Sequence, residues 1–267
     1  SLFPDIKWIA DLRDPWTDIY YYKQFYGSLP ARIYDRRLEK KVLHKADKII
    51  TVGESLASLF AEKQKDPDKN ISVITNGYDE EDFVNITAKP ASGKMTITYT
   101  GSVTDQYPVK EFLDVINDIF ISNTIDKLSV RIVGRVPEKI ESMINSYPVS
   151  RAISIIPYTD HRQSIKYMME SNILLLLIPD YHLNKLIITG KVFEYLRAGK
   201  PILAIGPHEG DAAKIIREAQ AGETFEKNGI ESIKSFILDK KYKSEMNKGI
   251  ERYSHKALVQ QLTKSIK

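Results

Sequence analysis

The chain has 267 residues, of which 42% are hydrophobic and 28% charged, with 39 basic and 35 acidic side chains and a formal net charge of +4. This composition is typical of a globular protein with one large domain or two ordinary ones. Charges this balanced argue against a protein that binds nucleic acid through phosphate contacts. Because the chain has no cysteine, disulfides and thiolate metal sites are excluded, which favours a reducing, cytoplasmic setting.

Short β-branched runs alternate with charged amphipathic stretches, a pattern that predicts βαβ units and an α/β fold with parallel sheets. We predict strands at Lys7–Asp11, Lys48–Val52, Ile71–Thr75, Met95–Gly101, Leu128–Gly134, Ile153–Pro157, Ile173–Ile178 and Pro201–Gly206. We predict helices at Leu29–Lys45, Glu54–Gln64, Pro108–Ile121, Pro137–Asn145, Asp160–Glu170, Gly190–Ala198 and Glu209–Ala219, and only helices from Ile230 to Lys267.

A polar stretch rich in glycine and proline, from Asn76 to Gly93, separates two sets of these units and predicts a domain boundary. We assign residues 1–90 to a first α/β domain with its linker, and residues 91–252 to a second domain. The five strands of the second domain make a complete doubly wound sheet, whereas the three strands before it make half of one. Because the sequence enters a strand almost at once, we expect the first domain to lack its beginning.

Two segments at predicted strand ends have features of a phosphate site. In "YTGSVTDQYPVKEF", Gly101 lets a ligand approach the backbone, Ser102 can donate a hydrogen bond, and Lys110 lies at the next helix start. Plain turn chemistry is the alternative interpretation of that segment.

In "ITGKVFEYLRAGKPILAI", Thr189, Gly190 and Lys191 place a hydroxyl, a flexible backbone and a cation at a helix N-terminus, which favours an anion. Glu194 follows one turn later and can accept hydrogen bonds from two hydroxyl groups. This pattern fits the diphosphate and ribose of a nucleotide. A surface salt bridge between Lys191 and Glu194 is the alternative.

The segment "GKVFEYLRAGKPILAI" resembles the nucleotide-binding segment of GT-B-type glycosyltransferases of the large family four (glycosyl transferases group 1). The stretches "ADKIITVGESLASLF", "ISVITNGYDEEDF", "ITYTGSV", "VRIVG" and "YSHKALVQQLTKSI" occur in the order that this family shows. The resemblance implies a GT-B-like chain, with a complete C-terminal Rossmann-like domain after a partial N-terminal α/β domain. It also implies that the C-terminal helix, within 253–267, packs back toward the N-terminal domain.

The family pattern, transferred residue by residue, implies that Glu194 binds the ribose hydroxyls of a nucleotide-sugar donor. It implies base recognition at Pro157 and Tyr158. The implied contacts of the diphosphate are Gly101, Ser102, Lys110, Thr189, Gly190 and Lys191. In the mechanism that this implies, Lys110, Lys191 and the helix N-terminus stabilise the leaving group, so no metal and no other cofactor is expected.

The sequence departs from the family pattern at two positions. Leu186 stands where the family often has an earlier glutamate that faces the donor sugar, and Ser102 stands where a basic residue is common. Lys110 or Arg135 is then left to supply the charge. Of the five histidines, only His182 lies near the expected donor-sugar site.

The segment "ADLRDPW" is the part of the first domain that the resemblance connects with catalysis. It implies that Asp11 and Asp14, at a strand end, face the acceptor or the donor sugar. The alternative is a strand-end turn that contains an Arg–Asp pair, with Trp16 in the core.

The resemblance implies a metal-independent, retaining glycosyltransferase that moves a sugar from a nucleotide-diphosphate donor to a glycan or lipid-linked acceptor in polysaccharide or cell-surface glycan synthesis. Tyr20, Tyr21, Tyr22, Phe25 and Tyr26, with the basic residues that follow them, suggest a peripheral contact with the inner face of a membrane. Packing between helices is the alternative for that segment. A sugar-nucleotide epimerase and a nucleotide-binding module without turnover are the competing functions.

Overall fold

A computed structural model describes residues 6–22, 28–64, 70–88, 93–125, 127–239 and 248–266. The chain forms two compact units, Ser1–Asn76 with Lys256–Lys267, and Gly77–His255. Residues 77–88, which the sequence analysis placed in the first domain, belong to the second unit because Tyr78 and Phe83 are buried in its core. Phe25 and Tyr26 lie outside the described residues.

The described strands are β1 (Ile9–Asp11), β2 (Lys48–Thr51), β3 (Ile71–Val73), β4 (Met95–Thr100), β5 (Leu128–Val133), β6 (Ile153–Ile156), β7 (Ile173–Leu177), β8 (Ile202–Ile205) and β9 (Gly222–Phe225). The described α-helices are α1 (Leu29–Lys45), α2 (Glu54–Gln64), α3 (Val109–Ile121), α4 (Glu138–Asn145), α5 (His161–Met169), α6 (Lys191–Ala198), α7 (Asp211–Glu218), α8 (Ile230–Leu238) and α9 (His255–Ser265). All eight predicted strands and all seven predicted helices are present, so the predicted α/β class is confirmed.

The first unit is built on a three-stranded parallel sheet in the order β1-β2-β3. One of its core clusters combines Ile50 and Ile74, at or beside the strands, with Leu258 of helix α9. The last helix of the chain therefore completes the core of the unit that contains the first strands.

The second unit is built on a six-stranded parallel sheet in the order β6-β5-β4-β7-β8-β9. Numbered within the unit, this is the order 3-2-1-4-5-6 of a Rossmann fold, in which the direction of winding reverses between β4 and β7. The sixth strand, β9, was not predicted. It begins with Gly222 and Glu223, residue types that are depleted in strands, so local propensity gives little sign of it.

Helices cover both faces of the larger sheet, and strand β7 shows why. All five of its residues are buried, with Ile173, Leu175 and Leu177 in one hydrophobic cluster and Leu174 and Leu176 in the other. Alternate side chains of a strand point to opposite faces. A continuous apolar run is therefore what a strand covered on both sides requires.

None of the helices in the described ranges combines the length and the apolar character that a membrane span needs.

Candidate functional site

The loops that follow β4 and β7 begin at the point where the sheet reverses its winding, which is where open parallel sheets bind ligands. Backbone hydrogen bonds fix the loop after β4 to the ends of its neighbours. The Gly101 amide donates to the Val133 carbonyl at 2.7 Å, and the Val103 amide to the Arg135 carbonyl at 2.9 Å. On the other side, the Asp180 amide donates to the Gln106 carbonyl at 2.7 Å. The edge of the sheet is thus preorganised at this point.

Two glycines allow these loops to approach each other closely. Gly101 has φ +103° and Gly134 has φ +139°, in the region that favours glycine. A Cβ atom on Gly134 would lie 2.4 Å from the Gly101 carbonyl oxygen, a clash between backbone and side chain. The two loops therefore pack against each other at these glycines, and the approach of a ligand to the Gly101 backbone stays a prediction.

Lys191, the first residue of α6, lies directly over Gly101. A Cβ atom on Gly101 would be 2.6 Å from the Lys191 Cε atom and 3.3 Å from its Nζ atom. The ammonium donates to the Tyr99 hydroxyl at 3.0 Å, and it lies 4.8 Å and 5.8 Å from the ring centroids of Tyr99 and Tyr107. The Tyr99 hydroxyl in turn donates to the Ser102 carbonyl at 2.9 Å. The structure thus brings Gly101, Ser102 and Lys191 together.

Burial makes this lysine a weaker base. Desolvation lowers the pKa of the Lys191 ammonium from 10.5 to about 8, and the negative charge of Glu194 offsets part of that effect. The bond to Tyr99 uses one of the three N–H groups of the ammonium. A partly desolvated cation gains more from an anionic ligand than an exposed one does, because less water must be displaced.

Tyr195 fixes the position of helix α6 against the sheet. Its buried hydroxyl accepts from the Thr100 amide at 3.0 Å, lies 3.1 Å from the Thr100 hydroxyl, and donates to the Leu175 carbonyl at 3.2 Å. Strand β4 pairs with β7 at Ile97 and Thr98. Further along, the Tyr195 hydroxyl bridges the two strands by bonding to the Thr100 amide and the Leu175 carbonyl. The same burial raises the pKa of Tyr195 to about 12. Because Tyr195 follows Glu194 directly, this contact sets the position of the Glu194 backbone.

Glu194 lies in the first turn of α6, with 28% of its side chain exposed. Its Oε1 atom accepts a hydrogen bond from the Nε2 atom of His161 at 3.0 Å. The Nδ1 atom of the same imidazole lies 3.5 Å from an oxygen of Asp82. The predicted ribose carboxylate is therefore part of a group of three charged or titratable side chains.

Thr189 and Gly190 precede the helix at its N-terminus. The Thr189 hydroxyl oxygen is buried and has no hydrogen-bond partner among the described residues, and the same is true of the Thr104 hydroxyl in the loop after β4. A buried hydroxyl without a partner is costly. The Thr224 hydroxyl in strand β9 is in the same state, so an unpartnered threonine does not by itself indicate a ligand.

Four other predicted site residues lie on the same edge of the sheet, without a described contact to Lys191. Arg135 is exposed at the end of β5, and Pro157 and Tyr158 are exposed at the end of β6, with Tyr158 85% accessible. Lys110 is exposed in the first turn of α3 and forms a salt bridge with Asp114 at 2.7 Å. Their roles in binding remain predictions.

Asp11 and Asp14 belong to the first unit. Asp11 forms an ion pair with Arg13 at 2.7 Å, and Arg13 also donates to the Asn76 side chain at 3.0 Å. The strand-end turn with an Arg–Asp pair, the alternative in the sequence analysis, is thus formed, with Trp16 only partly buried. Desolvation raises the pKa of the Asp14 carboxyl above its usual value. A catalytic role for either aspartate stays a prediction.

Three residues of this site were not predicted from the sequence: His161, Tyr99 and Tyr195. The histidine that was predicted near the donor sugar, His182, is exposed, and its ring lies 4.1 Å from that of Tyr181. The available signal for His161 was its place after Asp160, which caps helix α5 by accepting from the Gln163 amide at 2.8 Å. That cap fixes the start of the helix at the same edge of the sheet.

The side chains described here do not include a group of three histidine, aspartate or glutamate residues arranged to hold a metal ion.

No protein-family model matches the chain, and no curated protein matches it in sequence. Solved structures do match. The sucrose-phosphate synthase of Thermosynechococcus elongatus is 14% identical with a TM-score of 0.67, over 97% of this chain and 67% of that one. Anabaena HepE in complex with UDP-glucose is 12% identical with a TM-score of 0.69, over 97% and 72%. TarM of S. aureus, in a complex that contains UDP, is 15% identical with a TM-score of 0.63, over 87% and 46%.

These neighbours are GT-B glycosyltransferases, so the chain has a GT-B-type fold and the predicted fold is confirmed. At 12–15% identity, the likeness establishes the fold alone. The chain spans between 46% and 72% of the length of these three proteins.

Proposed function

We propose that this chain carries the donor-binding part of a glycosyltransferase that takes a sugar from a nucleotide-diphosphate donor and passes it to a glycan or lipid-linked acceptor. One observation carries the proposal. The Lys191 ammonium lies over the Gly101 backbone at the reversal point of a Rossmann-order sheet, and Glu194 lies one helical turn further on. A cation, a glycine loop and a carboxylate in this order match the diphosphate and the ribose of a nucleotide.

The chemistry of the donor explains the role of each group. When the bond between the sugar carbon and the diphosphate oxygen breaks, the electron pair stays with the diphosphate and the sugar becomes oxocarbenium-like. The acceptor hydroxyl attacks that carbon, and its proton passes to the departing diphosphate. Lys191 and the amides at the start of α6 stabilise the negative charge that develops on the leaving group. One charge-assisted hydrogen bond contributes about 1.5–3 kcal/mol.

The remaining predicted contacts extend this assignment. Thr189 supplies a hydroxyl that has no partner among the described residues and lies next to Gly190 at the start of the helix. Ser102, Lys110 and Arg135 belong to the same sheet edge and add polar or positive groups for the diphosphate. Pro157 and Tyr158 lie at the end of β6, where the base would be recognised. The HepE and TarM structures contain UDP-glucose and UDP, respectively, which supports a uridine nucleotide as the first ligand to test.

Four finer points of the proposal depend on the family resemblance. They are retention of anomeric configuration, a role in polysaccharide or cell-surface glycan synthesis, action without a metal, and contact with the inner face of a membrane. In support of the membrane contact, Leu29, Ile33 and Tyr34 of helix α1 are exposed by 70%, 51% and 63%, and Arg36 and Arg37 follow them. Apolar and basic side chains on one helix are suited to an anionic lipid surface.

Calorimetry with this chain tests the proposal. UDP, GDP, ADP and CMP are titrated with and without magnesium, and Glu194→Ala is compared with the wild type. We expect one diphosphate to bind without need of magnesium. Glu194→Ala should weaken that diphosphate about tenfold or more, because hydrogen bonds to a charged carboxylate are lost. Glu231→Ala, which removes an exposed glutamate from the first turn of helix α8, is the matched control.

The outcomes separate the parts of the proposal. If none of the four nucleotides binds, the donor site is wrong and the proposed function is abandoned. If one nucleotide binds and Glu194→Ala leaves its affinity unchanged, the ribose assignment is wrong although the nucleotide site stands. Binding that requires magnesium would contradict the metal-independent mechanism.

A further inference from the structure

His161 lies between two carboxylates that come from different parts of the second unit. Its Nε2 atom donates to Glu194 Oε1 at 3.0 Å, and its Nδ1 atom lies 3.5 Å from Asp82 Oδ2. His161 is the first residue of helix α5, Glu194 is in the first turn of α6, and Asp82 is in the short 3-10 helix Glu81–Phe83. The imidazole therefore connects three separate elements.

The 3-10 helix that carries Asp82 is anchored to helix α6 independently of His161. Phe83 is buried in the core of the second unit, and the Arg197 guanidinium lies 5.0 Å from its ring centroid. Arg197 also donates to Glu80 at 2.8 Å. Because Arg197 lies on α6 one turn after Glu194, the helix of the ribose carboxylate and the segment of Asp82 are held to each other. When both ring nitrogens carry a proton, Asp82 is thus placed to restrain one side of the imidazole while Glu194 accepts from the other.

We propose that His161, restrained by Asp82, is a positioning residue that holds Glu194 in the orientation that accepts the two ribose hydroxyls of a nucleoside diphosphate. This inference depends on the proposed function, because it concerns the same donor site. A carboxylate has about four acceptor positions on its two oxygens, and the bond from His161 occupies one of them. The Oε2 atom and the remaining position on Oε1 are left for the ribose.

The physical benefit of this arrangement is preorganisation. A free glutamate side chain explores several rotamers, and ordering it on binding weakens affinity, whereas a carboxylate already held by an imidazole has lost that freedom before the ligand arrives. The alternative is a partly exposed ion pair with no role in binding, since His161 and Glu194 side chains are 50% and 28% exposed. The two interpretations predict different effects of removing His161. A positioning residue contributes to the affinity for the ribose, whereas an ion pair without a role in binding contributes to no ligand affinity.

Ligand modification distinguishes them. UDP, GDP and ADP, their 2′-deoxy forms, and inorganic pyrophosphate are titrated into the full chain by calorimetry. For the nucleotide that binds, the ratio of ribose to deoxyribose affinity reports on Glu194, and pyrophosphate affinity reports on the Lys191 region. We expect His161→Ala to lower ribonucleotide affinity about 3- to 10-fold, to bring the ribose-to-deoxyribose ratio close to one, and to leave pyrophosphate affinity unchanged.

Two further variants and a control sharpen the result. His161→Gln retains a side-chain N–H donor and should restore part of the ribose preference. Asp82→Asn keeps His161 and weakens only its outer contact, so it should lower the ratio in the same direction by a smaller factor, even if His161→Ala fails to fold. His208→Ala, which removes an exposed histidine from the loop after β8, is the control and should change nothing.

Each contrary result has a distinct meaning. A wild type that binds no ribonucleotide overturns the proposed function and this inference together. A wild type that prefers ribose, with the same preference in His161→Ala and Asp82→Asn, overturns the inference alone. An equal loss for nucleotide and pyrophosphate would show a general structural effect, and would also overturn it.

Discussion

Lys191 is the residue whose charge decides how the site responds to pH. Its pKa is lowered by burial to about 8 from the ordinary 10.5, so the free protein loses this proton in mildly alkaline solution. Between those two values the unfolded chain binds more protons than the folded one. The cost of burying the charge therefore weakens the fold most below about pH 8, and it is relieved as the pH rises toward 10.5. Binding of an anionic ligand depends on pH in the opposite way, because the ligand requires the charged form of Lys191, which is present below about pH 8.

We therefore expect nucleoside diphosphate binding to take up a proton near pH 8 and to weaken as the pH rises above that value. Calorimetry in two buffers of different ionisation enthalpy measures the uptake directly. Lys191→Met should abolish the uptake and weaken binding about 10- to 100-fold at pH 7, the loss of one charge-assisted hydrogen bond. Lys214→Met, at an exposed position on α7, is the control. Uptake that persists in Lys191→Met would assign the proton to another group.

Tyr195 is a second residue whose contribution can be measured, because its hydroxyl stabilises the fold through two buried hydrogen bonds. Tyr195→Phe leaves the Thr100 amide and the Leu175 carbonyl without their partner in a buried position, which should lower the free energy of unfolding by about 1–3 kcal/mol. Urea unfolding followed by circular dichroism tests this. Tyr158→Phe removes a hydroxyl from a residue that is 85% exposed and should leave stability unchanged. Equal stability of both variants would mean that water replaces the lost hydroxyl.

At the scale of the elements, the sequence predicted the positions of most helices and strands but missed strand β9. Helix α6 ends at Ala198 because Gly199 has φ +68°, the left-handed conformation that often ends a helix, and the sequence shows this as Ala-Gly before a strand. Strand β9 gives no such signal. Its first residue, Gly222, pairs so closely with β8 that a Cβ atom would lie 2.0 Å from the Ile202 carbonyl oxygen. That strand is set by tertiary packing, which local propensity cannot show.

The residues of the candidate site also divide into those that the sequence predicts and those that only the three-dimensional fold brings together. Thr189, Gly190, Lys191 and Glu194 form one contiguous motif, so their shared position at a helix start was predictable. The contact between His161 and Glu194 joins residues that are 33 positions apart, and it depends on the ends of two different loops meeting at one edge of the sheet. The helix cap at Asp160 shows in the sequence that His161 begins a helix, but only the three-dimensional order of the strands brings this histidine to Glu194.

At the scale of the whole molecule, the division into units does not follow the order of the chain. The second unit, Gly77–His255, has its own six-stranded sheet with a hydrophobic cluster on each face, and it contains the whole proposed nucleotide site. The first unit has a three-stranded sheet and needs residues from both ends of the chain. Its core therefore depends on helix α9, which is far in sequence from the three strands of this unit.

That dependence predicts a selective effect of helix α9 on the first unit. Leu258 is 9% exposed and packs in the cluster with Ile50 and Ile74, so Leu258→Ala should lower the stability of this small unit by about 2–5 kcal/mol. Amide hydrogen exchange should show faster exchange in β2, while β7, buried in the two clusters of the other unit, keeps its protection. Val259→Ala, on the same helix but 60% exposed, is the matched control. If β2 exchanges at the same rate in the Leu258 variant and the wild type, α9 is not part of the cooperative core of the first unit.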